Sequence, residues 1–119
     1  MNTTENNKLI AEFMEFQQTN IGWYDAEEVL LRTEKDNTFD DLKFHTDWNW
    51  LMQVVEKIEN TKYDNLTFDV FISKNKTHIH YSANNEWFSN IFLYEGKTKI
   101  ENTYNACVEF IKWYNENSR

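Results

Sequence analysis

Residues 66–82 read LTFDVFISKNKTHIHYS, in which two alternating runs flank a short polar break. The first run has apolar side chains at every second position: Leu66, Phe68, Val70 and Ile72. The second run repeats this spacing with Thr77, Ile79 and Tyr81. A period of two places successive side chains on opposite faces of a strand, and the break at Lys74–Lys76 has the composition of a turn. The segment therefore predicts an antiparallel β-hairpin with one buried face.

Segments on both sides of this hairpin have helical periodicity. A helix is expected to begin at Thr46 or Asp47, and its apolar residues are spaced by three or four positions. They are Trp48, Leu51, Met52, Val55 and Ile58, which we expect to form one buried face. A later helix is expected over about Lys99–Asn115 and an earlier one over about Thr4–Gln17.

These elements together predict the fold class. A third strand is expected within Glu86–Tyr94, which makes the sheet wide enough to be stable. Residues Ile21–Leu31 fit either a short helix or an extended segment, and Thr33–Asp41 has the composition of an exposed loop. The element order predicts an α+β fold in which helices cover a small antiparallel β-sheet, as a helix–sheet–helix sandwich. At 119 residues, the chain is expected to form a single domain over residues 1–119.

Composition indicates the cellular setting. A single cysteine, Cys107, excludes a disulfide within the chain, which favours a reducing cytoplasm. The polar start, Met1–Asn7, lacks the features of a signal peptide, and no apolar run approaches the length of a membrane span. We therefore expect a protein of the host cytoplasm that does not engage a membrane.

The charge is unevenly distributed along the chain. The formal net charge is -8, and residues 1–60 hold 13 Asp or Glu and 5 Lys or Arg, whereas residues 61–119 hold 7 of each kind. The candidate partner-binding residues are the carboxylates of one short stretch and the two aromatic residues upstream of it. They are Trp23, Tyr24, Glu27, Glu28, Glu34, Asp36, Asp40 and Asp41. Such a surface attracts basic proteins and opposes direct DNA binding, although a solvated loop without a partner is the simpler alternative.

Two segments resemble a known family. Residues 47–59, DWNWLMQVVEKIE, and residues 104–115, YNACVEFIKWYN, are similar to small phage and prophage proteins with the phage ABA sandwich domain, many from Bacteroidetes hosts. The resemblance implies a helix–sheet–helix sandwich and a mobile-element setting. The family has no agreed activity, so it implies no catalytic residues. This chain has Gln53 where those proteins often have Pro, which predicts a more continuous helix.

From the acidic stretch, Glu27–Asp41, we expect the protein to be an inhibitor or adaptor that neither catalyses a reaction nor uses a cofactor. Carboxylates compete for grooves built to hold nucleic acid, and small acidic phage proteins often inhibit host nucleases in this way. By this analogy, the partner is a host or phage protein with a basic surface, such as a CRISPR effector nuclease. Contact with RNA is a secondary expectation, based on the lysines Lys74, Lys76, Lys97 and Lys99.

Two other functions remain open in the sequence. His78 and His80 project from the same face of a predicted strand, so the chain is alternatively a metal-binding enzyme or sensor, with His45 as a conceivable third ligand. No spacing ties His45 to the pair, and the simpler interpretation is structural histidines. Cys107 lies on an apolar helical stripe and is expected to be buried with a raised pKa, not nucleophilic. The last alternative is a self-assembling structural accessory protein of a phage.

Overall fold

The computed structural model describes residues 3–19, 22–24, 30–31, 42–83 and 86–117, with the backbone alone for residues 18–31 within this set and for residues 86–91. The described residues form three helices and six strands. In chain order these are α1 Thr3–Phe13, β1 Gln17–Thr19, β2 Gly22–Tyr24, β3 Leu30–Leu31, α2 Trp48–Asn60, β4 Thr67–Ile72, β5 Lys76–Ala83, β6 Glu86–Glu95 and α3 Lys99–Asn117.

The predicted hairpin and third strand are confirmed. β4, β5 and β6 form an antiparallel sheet in sequence order, with Val70 opposite Ile79 and Ile79 opposite Phe92. The Ser73 amide donates to the Lys76 carbonyl at 2.9 Å and closes the turn between β4 and β5. Alternation along these strands separates a buried face from an outer face.

The two faces of the sheet differ in burial. Phe68 and Ile79 on the inner face are 1% and 0% exposed, whereas Phe71 and Leu93 on the outer face are 42% and 47% exposed. The inner face joins one hydrophobic core with residues of all three helices, including a Phe68–Phe110 ring contact at 4.8 Å. This arrangement confirms an α+β fold in which helices cover an antiparallel sheet.

α2 begins where the sequence indicates but buries a slightly different face. Asp47 caps the helix, since its side chain accepts a hydrogen bond from the Asn49 amide at 2.8 Å. The buried residues are Leu51, Val54, Val55 and Ile58. The expectation that Met52 is buried is wrong, because its side chain is 39% exposed. Both stripes satisfy helical spacing, and contacts with β4 and α3 decided which one faces the core.

α1 ends four residues earlier than the sequence pattern indicates. The Phe16 amide donates to the Ala11 carbonyl at 2.9 Å and the Glu15 amide to the Glu12 carbonyl at 3.1 Å. Glu15 has a φ of 61°, so this pair of bonds is a Schellman termination. The residue in the left-handed position is usually Gly, and a glutamate there gives no sequence signal for the helix end.

A second, smaller sheet follows α1. β1, β2 and β3 pair antiparallel, with Trp23 opposite Gln18 on one side and Leu31 on the other. The ambiguous residues at the start and end of Ile21–Leu31 are therefore extended where the structure describes them. No helix in the described ranges is both long and apolar enough to cross a membrane.

Candidate functional site

The predicted partner-binding residues fall in two groups. Trp23 and Tyr24 lie in β2, where the structure describes their backbone. The six carboxylates lie outside the described residues: Glu27, Glu28, Glu34, Asp36, Asp40 and Asp41. The expected exposed loop Thr33–Asp41 lies there as well. What the structure does define is how the acidic stretch is anchored at each end.

An aromatic contact joins the two ends of this part of the chain. Phe16, just before β1, packs against Phe44, just before α2, with ring centroids 5.5 Å apart. Trp50 of α2 contacts both rings edge-on, at 5.4 Å from Phe44 and 6.3 Å from Phe16. Phe16 and Phe44, the residues that precede and follow 17–43, are therefore held together.

A buried polar network holds the returning end of the segment. Asn7 of α1 is 0% exposed, and its side-chain amide donates to the Leu42 carbonyl at 3.1 Å. The side-chain carbonyl oxygen of Asn7 accepts a hydrogen bond from the Tyr104 hydroxyl of α3 at 2.9 Å. Burial raises the pKa of Tyr104, which keeps this hydroxyl protonated as a donor. α1, α3 and Leu42 are thus tied together by one side chain.

The same asparagine orients His45. The Asn7 Nδ2 atom lies 3.4 Å from His45 Nδ1, and because an amide nitrogen only donates, Nδ1 is the acceptor in this contact. Sequence reasoning missed Asn7 as an anchoring residue. The available signal was its position, three and four residues before the buried Ile10 and Ala11 on the same helical face.

The described helices extend the acidic character beyond the predicted stretch. Exposed carboxylates lie on α1, on α2 and in the turn after α1: Glu5, Glu12, Glu15, Glu56 and Glu59. Lys57 of α2 is partly neutralised, since its ammonium donates to the Phe13 carbonyl at the end of α1 and lies 3.9 Å from a Glu15 carboxylate oxygen. The described part of the N-terminal half therefore also carries exposed negative charge.

The candidate RNA-contacting lysines lie in two turns that the fold brings together. Lys74 and Lys76 flank Asn75 in the β4–β5 turn, and Lys97 and Lys99 flank the start of α3. The buried Asn102 side chain donates to the carbonyls of Asn75 and Lys97, each at 3.2 Å. The four exposed lysines thus share one end of the sheet, although RNA contact itself stays a prediction.

The histidines do not form a group of three. His78 and His80 lie on the outer face of β5 with ring centroids 4.5 Å apart, whereas His45 packs against Tyr104 beside the helices, at 6.0 Å. The pKa of His78 is lowered by burial, by His80 and by Lys76. Within the described ranges, no three His, Cys, Asp or Glu side chains are arranged to hold a metal ion.

Cys107 is buried as expected. Its side chain is 0% exposed within α3, and burial raises the pKa of the thiol to about 12. The thiolate that would act as a nucleophile is therefore strongly disfavoured at neutral pH.

Two neighbouring clefts beside α3 share the Asn105 side chain. One has a volume of about 350 Å³ and includes His45, Lys97 and Tyr104, and the other has a volume of about 210 Å³ and includes Tyr94 and Glu109. The Asn105 amide oxygen is buried without a hydrogen-bond partner. The first volume is just above the lower limit for ordinary small-molecule sites, roughly 300 Å³, and the second is below it.

Comparison with known proteins adds no assignment to this geometry. No protein-family model matches the chain, and no curated protein or solved structure matches it either.

Proposed function

We propose that this protein binds a basic surface of a nucleic-acid-handling protein through the acidic stretch Glu27–Asp41, as an inhibitor or adaptor without catalysis. The observation that supports this most is the anchoring of that stretch. Residues 27–41 hold 6 Asp or Glu and 2 Lys or Arg, and Phe16 and Phe44, which precede and follow the longer segment 17–43, are in contact. This contact supports the proposal because it fixes the residues on either side of the segment that carries these charges.

The electrostatics favour a partner whose groove normally holds phosphates. Such a groove carries an excess of Lys and Arg, and a cluster of carboxylates competes for it over distances up to the Debye length, about 8–10 Å at ordinary salt. Exposed carboxylates on α1 and α2 add to the same field. Trp23 and Tyr24 lie in sequence directly before the stretch and are suited to anchoring contacts.

The proposed setting is a phage or prophage, and the proposed partner class includes CRISPR effector nucleases. This part of the proposal depends on the sequence resemblance and on analogy with small acidic phage proteins. With a nuclease as the proposed partner, inhibition is measured directly as a loss of cleavage.

The test compares two proteins that have the same change in net charge. In the first, Glu34, Asp36, Asp40 and Asp41 are replaced by Lys. In the matched control, four exposed carboxylates of the C-terminal half are replaced by Lys: Asp64, Glu95, Glu101 and Glu116. Binding to purified candidate effector nucleases and inhibition of their cleavage are measured at low and high salt, after circular dichroism has shown that both variants fold.

The proposal expects loss of binding and inhibition in the first variant and retention in the control. Wild-type binding should weaken steeply as salt rises. Equal loss in both variants would mean that net charge alone matters. Unchanged salt-dependent binding by the first variant would show that the acidic stretch is not the determinant. Sedimentation equilibrium of the wild type tests the self-assembly alternative, which requires stable oligomers without any added partner.

A further inference from the structure

We propose that His78 and His80 form a two-histidine site for a divalent transition-metal ion of the Cu²⁺, Ni²⁺ and Zn²⁺ group, on the outer face of the β4–β5–β6 sheet. The two side chains are separated by one residue in β5, so they project from the same face. This site is separate from the acidic stretch, and it does not depend on the proposed function.

The ring geometry suits chelation. The two ring centroids are 4.5 Å apart, and the ring planes are inclined by 75°. Two imidazoles that bind one ion through nitrogen–metal bonds of about 2.0–2.1 Å place their ring centres roughly 4.5–5 Å apart when the bonds meet at about 90–110°. The separation of the two rings is therefore compatible with a shared ion.

The surroundings limit how the rings can move. The Phe71 ring on β4 lies 5.3 Å from the His78 ring and 4.9 Å from the His80 ring, so it packs against both. The His78 Nδ1 atom is buried and accepts no hydrogen bond from the protein. A buried imidazole nitrogen without a donor is an unsatisfied acceptor, and a bound metal ion is one of the partners that would satisfy it.

The charged side chains around the two histidines also bear on cation binding. The charged neighbours are of both signs: Asp69 lies opposite His80, Lys76 lies two residues before His78, and Glu95 lies opposite Lys76. The nearby carboxylates offset the lysine, and the site is not strongly repulsive to a cation.

Two protein ligands leave the ion with open positions. Structural zinc sites use four protein ligands, so an ion held by two histidines keeps positions for water or for a donor from another molecule. Imidazole ligands favour Cu²⁺ most, followed by Ni²⁺ and Zn²⁺, with Mn²⁺ much weaker. This order is a specific expectation for the site.

The test uses the full chain without an affinity tag. Binding of Cu²⁺, Ni²⁺, Zn²⁺ and Mn²⁺ is measured by titration calorimetry for the wild type, for His78→Ala and for His80→Ala. His45→Gln is the matched control because it removes the third histidine, which lies beside the helices. We expect one equivalent of Ni²⁺ in the wild type, affinity at least about tenfold weaker in either β5 variant, and no change in the control.

A second readout keeps the site testable if an alanine variant is poorly folded. Cu²⁺ is paramagnetic, so it should selectively broaden the backbone NMR signals of Phe71, His78, His80 and Leu93 in the wild type, and His80→Asn should abolish this broadening. Metal affinity that is the same in the wild type and both β5 variants would overturn the site. Loss of affinity in His45→Gln to the same extent, or broadening centred elsewhere, would overturn it too.

Discussion

The rings of Phe16 and Phe44 pack 5.5 Å apart and close a segment that contains the small sheet and the acidic stretch. Closing a long segment costs conformational entropy that grows slowly with its length, so a few well-packed residues at its base are sufficient to offset that cost. Phe44 is 1% exposed and contacts Trp50 as well. The contact therefore links the stability of the core to the placement of the charged region.

Replacing Phe44 with Ala should lower the free energy of unfolding by about 3–5 kcal/mol, because it removes a large buried ring and leaves a cavity. The matched control is Phe71→Ala on the outer sheet face, where the ring is 42% exposed and the loss should be about 1 kcal/mol. Urea unfolding measures both values, with the midpoint shifting at an unchanged slope. Equal losses of unfolding free energy in the two variants would mean that the Phe44 ring stabilises the core no more than an exposed ring does.

Tyr104→Phe and Asn7→Ala should each cost about 1–3 kcal/mol, because each leaves buried polar groups without a partner. The double variant should lose less than the sum of the two, with a coupling of about 0.5–3 kcal/mol. Tyr63→Phe is the control, since its hydroxyl donates to the Asn117 carbonyl at an exposed site. Additive losses in a double-mutant cycle would rule out the Asn7–Tyr104 hydrogen bond as a stabilising link.

Glu15→Gly should stabilise the protein by about 0.5–1 kcal/mol, because the residue after α1 has a φ of 61° and glycine adopts this conformation without steric cost. The substitution also removes the Glu15 carboxylate, which lies 3.9 Å from the Lys57 ammonium. This surface ion pair is weak, so its loss reduces the gain only slightly. Glu15→Ala serves as the control, since it removes the carboxylate but keeps the strain. The thermal midpoint should rise for Gly and stay level or fall for Ala, and a fall for both would contradict the assignment.

Stability should fall with rising pH above about 8.5 because of Cys107. Burial raises the pKa of the folded thiol to about 12, whereas a thiol in the unfolded chain ionises near about 8.5. Between these values the folded state retains a proton that the unfolded chain has lost, so the stabilisation is complete below pH 8.5 and is lost as pH rises toward 12. The slope for one group is at most about 1.4 kcal/mol per pH unit.

The check for this slope is Cys107→Ala, measured by urea unfolding between about pH 7 and pH 10. The cost of the substitution should shrink as pH rises, because the alanine variant has no thiol to protonate. Tyr104 acts in the same direction only above about pH 10 and is present in both proteins. Parallel profiles for the two proteins would show that the thiol does not titrate as its burial implies.

The secondary structure near the sheet was largely predictable, and the reasons are local. The alternation in residues 66–82 predicted β4 and β5, and Asp47 predicted the start of α2 through its ability to cap the first turn. The end of α1 was not predictable, because Glu15 rather than glycine occupies the left-handed position. Met52 was assigned to the wrong face for a different reason, since helical spacing alone allows two adjacent stripes.

The candidate sites, like the secondary structure, were predictable from the sequence only in part. The acidic stretch was identified from composition. His78 and His80 were placed on one strand face because they are two positions apart in a predicted strand. Helical spacing could place Asn7 on the buried face of α1, but it could not identify the partners Leu42 and Tyr104, which are 35 and 97 positions away along the chain. Polar contacts over such separations leave no periodic trace in a single sequence.

By itself, the sequence determined the hairpin, the third strand, the two later helices, the burial of Cys107 and the location of the negative charge. These follow from side-chain period and composition, which are properties of neighbouring residues. Only the tertiary structure decided that Phe16 meets Phe44, that Asn102 joins two lysine-bearing turns, and that the two histidine rings lie 4.5 Å apart while His45 lies elsewhere. Those arrangements depend on how whole elements pack against one core, and packing is a property of residues distant in the chain.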